Sequence, residues 1–266
     1  MAKKSAIPSL VGVVHLPPLP GAPRATGSAS AVVAQATRRA IDEARALERA
    51  GFDALVVENF GDAPFYKTTV PPVTVAAMSA IACAVRAATR LPLGINVLRN
   101  DGFSALAIAL VSGASFIRVN VLSGIAATDQ GLIEGEAARL LREREATRAL
   151  GGPRVAIWGD ALVKHARTLS VDDVELAVEE VGSRSLADAV IVTGATTGRA
   201  IGSSRLEVAS HAARKIRKPL YLGSGVTPEN AGEVAGFVDG VIVGSALRRG
   251  GLAGAPLETR RLGVFE

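Results

Sequence analysis

Eight short apolar runs recur along the chain, at residues 10–15, 54–58, 93–98, 116–121, 155–158, 189–193, 220–222 and 240–243, each followed by a stretch of helical period. No other feature narrows the fold as far. Spread over 266 residues, eight repeats take about 33 residues each, the size of one strand–helix unit. Strands that are apolar almost throughout belong to a parallel sheet covered on its outer face. Eight of them close into a (β/α)8 TIM barrel, which at this length forms one domain. An open doubly wound sheet competes, but it needs a Gly-rich turn after its first strand. Here that strand runs into His15-Leu16-Pro17-Pro18-Leu19-Pro20-Gly21, and prolines cannot present consecutive N–H groups to a pyrophosphate. The expectation is one domain over residues 1–266, with residues 1–9 and 260–266 as peripheral tails.

Helix punctuation agrees. Val33, Ala36, Ala40, Ala44, Leu47 and Ala50 mark one face, and Gly51 supplies a stop. Ser170-Val171-Asp172-Asp173 has capping-box spacing, and Thr227-Pro228-Glu229-Asn230 orders a cap, a first-turn proline and an acid as a helix start does.

Composition excludes several classes. With 48% hydrophobic and 21% charged residues the chain can build a large core, and 4% aromatics are too few for a carbohydrate- or RNA-stacking surface. The net charge of +5 is scattered, without a basic stripe, so no nucleic-acid partner is expected. The longest charge-free stretch, residues 68–85, is broken by Pro71 and Pro72 and rich in Ala, so no transmembrane segment is expected. A single cysteine, Cys83, rules out an internal disulfide and fits a reducing, cytoplasmic setting; flanked by Ala82 and Ala84, it reads as a small core residue. The Ala-rich helix expected over residues 73–88 offers a face for a homo-oligomer, or else packs on the barrel wall.

In a barrel the reactive groups gather at the carboxyl ends of the strands. Read in order, those ends carry His15, Glu58, Asn96 with Arg99, Arg118 with Asn120, Asp160, Thr193, Gly223-Ser224-Gly225 and Gly244-Ser245. Glycine/serine turns after the last two strands suit a phosphate: glycine allows close approach, and N–H groups and helix dipoles favour the anion. Arg248 or Arg249 could add charge there. Glu58, ending a wholly apolar strand, is a general acid/base candidate. Lys164 beside His165 could act as electrophile, amine or proton carrier. Asp129 and Asp160 complete the candidate catalytic set, although Asp129 lies in a turn-forming stretch and could simply cap a helix. Asn96, Arg99, Arg118, Asn120, His15 and Thr193 are read as substrate-orienting. No cofactor is required by the sequence. His/Cys spacing of zinc type is absent, while Mg2+ held by Glu58, Asp129 or Asp160 is compatible because such sites have no fixed spacing.

Several of these loops, namely Val14-His15-Leu16-Pro17-Pro18-Leu19-Pro20-Gly21, Glu58-Asn59-Phe60-Gly61-Asp62-Ala63-Pro64-Phe65, Gly94-Ile95-Asn96-Val97-Leu98-Arg99-Asn100-Asp101 and Thr128-Asp129-Gln130-Gly131, resemble the BtpA/SgcQ family. So do Val163-Lys164-His165, Thr193-Gly194-Ala195-Thr196-Thr197-Gly198 and Gly223-Ser224-Gly225-Val226, in order along nearly the whole chain. The resemblance implies a barrel. One branch is named for a factor needed to accumulate photosystem I, extrinsic on its membrane; another belongs with sugar uptake and metabolism. Two functions are therefore expected in competition: an enzyme acting on a small phosphorylated metabolite (a sugar phosphate or nucleotide-like compound), or a non-catalytic assembly factor peripheral to a membrane. Isomerisation, aldol-type cleavage and hydrolysis all stay open for the enzyme.

Overall fold

A computed structural model describes residues 9–163, 166–168, 173–194 and 202–263. In chain order the elements are β1 (Leu10–His15), α1 (Ala29–Arg49), β2 (Ala54–Glu58), α2 (Pro72–Ala88), β3 (Leu93–Asn96), α3 (Gly102–Ser112), β4 (Phe116–Val119), β5 (Ile125–Thr128) and β6 (Gly131–Glu134). There follow α4 (Ala137–Ala149), β7 (Ala156–Ala161), β8 (Ala166–Thr168), α5 (Val174–Glu179), β9 (Ala189–Val192), α6 (Ser203–Lys215), β10 (Leu220–Leu222), α7 (Ala231–Val234) and β11 (Gly240–Val243). Strands β1-β2-β3-β4-β7-β9-β10-β11 form a closed barrel, parallel throughout. Every expected run supplies one barrel strand. The fifth reaches further than its apolar run, so that Asp160 lies within β7, while β3 and β4 end earlier, at Asn96 and Val119.

Three short strands were not expected. They form a separate antiparallel sheet, ordered β6-β5-β8, from the chain that follows β4 and β7 at their carboxyl ends. Polar loop residues and Gly131 at φ +93° make a hairpin turn between β5 and β6. Asp129 therefore caps no helix; it sits exposed in that turn.

Alternation along parallel strands sends successive side chains to opposite sides of the barrel wall. Outward residues such as Leu55, Val57 and Ile95 join the helices in the main core. Inward residues Val11, Val13, Ala54, Val56, Phe116, Trp158, Ile191, Tyr221 and Ile242 fill the barrel. Three aromatics stack through its middle, Phe116 on Trp158 at 4.0 Å and Trp158 on Tyr221 at 4.2 Å between ring centres. Gly94 makes room for them, since a Cβ there would lie 2.2 Å from the Phe116 ring.

The helices follow their stripes, with three corrections. In α1, capped by the Ser28 side chain, the buried face contains Ala36, Ala40, Ala44 and Leu47 as expected, and also Glu43. Cys83 is exposed rather than in the core, because the buried face of α2 runs through Ala77, Met78, Ile81, Ala82 and Val85. The cap of α5 is Asp173, which accepts the N–H groups of Glu175 and Leu176; Ser170 lies outside the described residues. Before α7 the Asn230 side chain, not Thr227, closes the turn, accepting the Thr227 N–H. The chain end is less peripheral than expected, since Leu262 is buried in the main core. Among the described residues no helix is long and apolar enough to cross a membrane.

Candidate functional site

One step above the apolar filling, the next inward position of each barrel strand is His15, Glu58, Asn96, Arg118, Asp160, Thr193, Gly223 or Gly244. Pairing of His15 with Glu58 and of Glu58 with Asn96 places neighbouring members side by side. The period of two that puts Val56 or Trp158 inside the barrel also puts Glu58 or Asp160 inside at the mouth. All six non-glycine members are buried.

Hydrogen bonds organise the ring. Arg118 Nε and Nη2 donate to the two oxygens of Asp160, at 2.9 and 2.8 Å, a bidentate pair with both side chains shut off from solvent. The Asn120 amide adds a donor to Asp160 at 3.3 Å, and the Asn96 amide donates to Asn120 at 3.1 Å and to the Arg118 carbonyl at 3.0 Å. Thr193 donates to the Leu162 carbonyl, tying down the chain after β7. Burial alone would lower the Arg118 guanidinium, but the charge and hydrogen bonds of Asp160, with Glu58 beyond, hold it above its ordinary value. Burial pulls Arg99 below its own, against the charges of Asp160, Asp129 and Glu58. Asp129, in the hairpin turn, is thus near enough for its charge to act on Arg99.

Between the bends after β10 and β11 lies a cavity of about 30 Å³, lined by His15, Glu58, Phe60, Arg118, Gly223, Ser224, Gly225, Gly244, Ser245 and Ala253. The two bends are neighbours. Gly225 needs its missing side chain for a φ of +79°. The Ser224 hydroxyl is buried without a hydrogen-bond partner among the described residues, and so is the side-chain oxygen of Asn96. Gly223 differs from expectation: its N–H is bonded to the Val192 carbonyl at 2.8 Å, so it contributes space and no free donor. Across the Arg118–Asp160 pair a larger chamber of about 550 Å³ opens, bordered by Asn120, Asp160, Thr193 and the apolar Ala161, Val163, Ala177 and Val181.

Lys164 and His165 lie outside the described residues. Arg248 is not at the mouth: fully buried behind β1, it donates to both Glu43 oxygens at 3.1 and 2.8 Å and to the carbonyls of Val13 and Ala255. Among the described residues no three His, Cys, Asp or Glu side chains converge as a metal site requires, and Asp160 already holds Arg118 with both oxygens. Phe60, which packs on His15, and the segment 249–257, which covers the cavity through Ala253, were not foreseen. One signal was legible: a carboxylate at position 43, inside the Ala stripe of α1, marks a buried ion pair.

Comparison with known proteins places the chain. The BtpA family matches residues 6–265. The chain is 46% identical over 256 residues to the "Photosystem I biogenesis protein BtpA" of Synechocystis sp., covering 96% of this chain and 86% of that protein. It is also 46% identical over 248 residues to an uncharacterized protein of Archaeoglobus fulgidus, covering 93% and 94%. Among solved structures, thiamine phosphate pyrophosphorylase from Pyrococcus furiosus superposes with a TM-score of 0.57 at 15% identity, covering 97% of this chain and 93% of that one. Phosphoribosyl anthranilate isomerase from Thermus thermophilus does so at 0.54 and 13%, covering 96% of each. At such identities the structures share the fold alone. The family match over residues 6–265 and the 46% identity over nearly the whole chain show that this chain belongs to the BtpA family.

Proposed function

We propose that this protein is a barrel enzyme acting on a small phosphorylated metabolite bound at the carboxyl end of the strands. One observation carries the reading: a polar ring drawn from six strands opens onto a cavity between two glycine bends, where the Ser224 hydroxyl has no partner among the described residues. Ser224, Gly225, Gly244 and Ser245 would hold the phosphoryl group, with Gly223 clearing space for it. Arg118 would face its charge, oriented by Asp160. Glu58 is the acid/base group, Asn96 and Asn120 orient the substrate, and the 550 Å³ chamber takes the remainder of the molecule. Arg99 and Asp129 set the charge at the rim. Lys164 and His165 follow β7 in sequence and are candidates for the same mouth. Isomerisation, aldol-type cleavage and hydrolysis share the need for this proton-transfer set, and Mg2+ is not required by it.

The test is a melting screen against phosphorylated sugars and nucleotides. A ligand at 100 times its Kd adds about 2.7 kcal/mol and raises the transition. Gly225→Asp, which sets a carboxylate against the anion, should abolish the shift. No shift with any phosphorylated compound, or one that survives Gly225→Asp, contradicts the site.

The 46% identity to the Synechocystis protein supports a second reading, a non-catalytic assembly factor peripheral to a membrane. It predicts co-sedimentation with lipid vesicles at low salt and no response to phosphorylated compounds, which the same preparation can report.

A further inference from the structure

We infer that His15 is the side-chain donor of the anion cradle, offering its Nε2–H to a phosphoryl oxygen, and that the segment covering the cavity fixes the proton on that nitrogen. The inference rests on the cradle proposed above and specifies the ligand chemistry as a phosphomonoester or free phosphate. Its first observation is the bond from the Gly254 N–H to His15 Nδ1, at 3.3 Å. A ring nitrogen that accepts carries no proton, so the neutral imidazole carries its proton on Nε2.

That nitrogen faces the cavity. A Cβ built on Gly244 would stand 3.2 Å from His15 Cε1 and 3.4 Å from Nε2, so the ring edge occupies the space left by the glycine. Phe60 packs against the ring, 4.6 Å between centres, and holds its plane. Glu58 Oε1 lies 3.8 Å from Nε2, beyond hydrogen-bond range but near enough for both groups to meet one ligand.

The Gly254 amide is held in place from below. Arg39 donates to the carbonyls of Gly254 and Ala255 at 3.0 and 3.2 Å, and Arg248 to that of Ala255 at 2.8 Å. Both arginines are anchored on Glu43. Gly254 itself sits at φ +81°, and a Cβ there would meet Phe60 at 3.0 Å, so backbone conformation and packing both call for glycine. Arg39 and Arg248 are thus positioning residues: they touch the cover, and the cover sets the tautomer.

The test uses the full chain with 15N-labelled imidazoles. Only three histidines are present, and His15→Gln assigns the signal of His15. Near neutral pH the His15 ring should be protonated at Nε2, and Arg39→Ala should yield a mixture of tautomers. Inorganic phosphate should shift the His15 Nε2 signal. His15→Phe should weaken phosphate binding about 10- to 100-fold, as loss of a hydrogen bond to a charged group does, whereas His15→Gln, with an amide near the Nε2 position, should retain most of it. A wild-type ring protonated at Nδ1, or a tautomer unaltered by Arg39→Ala, overturns the inference. Phosphate that binds without moving the His15 signal overturns it too and leaves the cradle standing. If phosphate binds nowhere, both readings fall.

Discussion

Arg118 and Asp160 show how a polar ring can be built into an apolar barrel. Each would be very costly alone at such depth, and the pair persists because its geometry is bidentate and because Asn120 satisfies a further lone pair of the carboxylate. Removing one partner should cost far more than removing both. Arg118→Met leaves a buried unpaired carboxylate and should destabilise by about 3–5 kcal/mol, whereas Arg118→Met with Asp160→Leu should recover most of that loss. Denaturant unfolding of the three proteins measures it. Equal losses for the single and double variants would mean that the ion pair is not what holds these side chains. The residue types of this pair were legible in the sequence from their place at strand ends; their mutual pairing was not, because they lie 42 positions apart and meet only when β4 pairs with β7, beyond the whole segment between them.

At the level of elements, loops carry as much of the mouth as strands do. Asp62, in the turn after β2, accepts the Leu19 N–H at 2.8 Å and the Asn59 amide at 3.1 Å, linking the loops that follow β1 and β2. Burial lifts its carboxyl above the ordinary value of 3.8, although those hydrogen bonds pull the other way. An acid with a raised folded-state pKa favours folding most when protonated, and that contribution is lost as pH rises through the raised value. Asp62→Asn does not titrate. Its stability relative to the wild type should therefore increase as pH rises from about 3.8, in melts recorded across that range. A difference independent of pH would contradict this. The Pro-rich sequence of these loops excluded a dinucleotide turn, but the contact between them depends on the packing of Pro17 and Pro18 against Gly61, where a Cβ would lie within 2.4 Å of their backbone.

For the whole molecule, closure needs the chain end. β1 pairs with both β2 and β11, so the first strand is held by the last, and Leu262 then packs into the core beyond it. Leu262→Ala should cost about 2–4 kcal/mol, as truncation of a buried leucine does, with one cooperative transition retained in denaturant. A loss below about 0.5 kcal/mol would show that this terminus is peripheral, as its polar composition suggests.

Local periodicity determines much of this protein. Continuous apolar runs separated by helical stripes specify eight strand–helix units, and the polar residues that end those runs place Glu58, Asn96, Arg118 and Asp160 at the carboxyl ends of the strands, because each such boundary is a property of its own stretch of chain. Glycine and serine types likewise mark the last two bends. What the tertiary structure decided is who meets whom: that Arg248 turns away from the mouth to Glu43, that Gly223 gives its N–H to β9, that Cys83 faces outward, and that Gly254 reaches His15 across 239 positions. These contacts join groups distant along the chain, and their energies exist only once the barrel has closed and excluded water from between them.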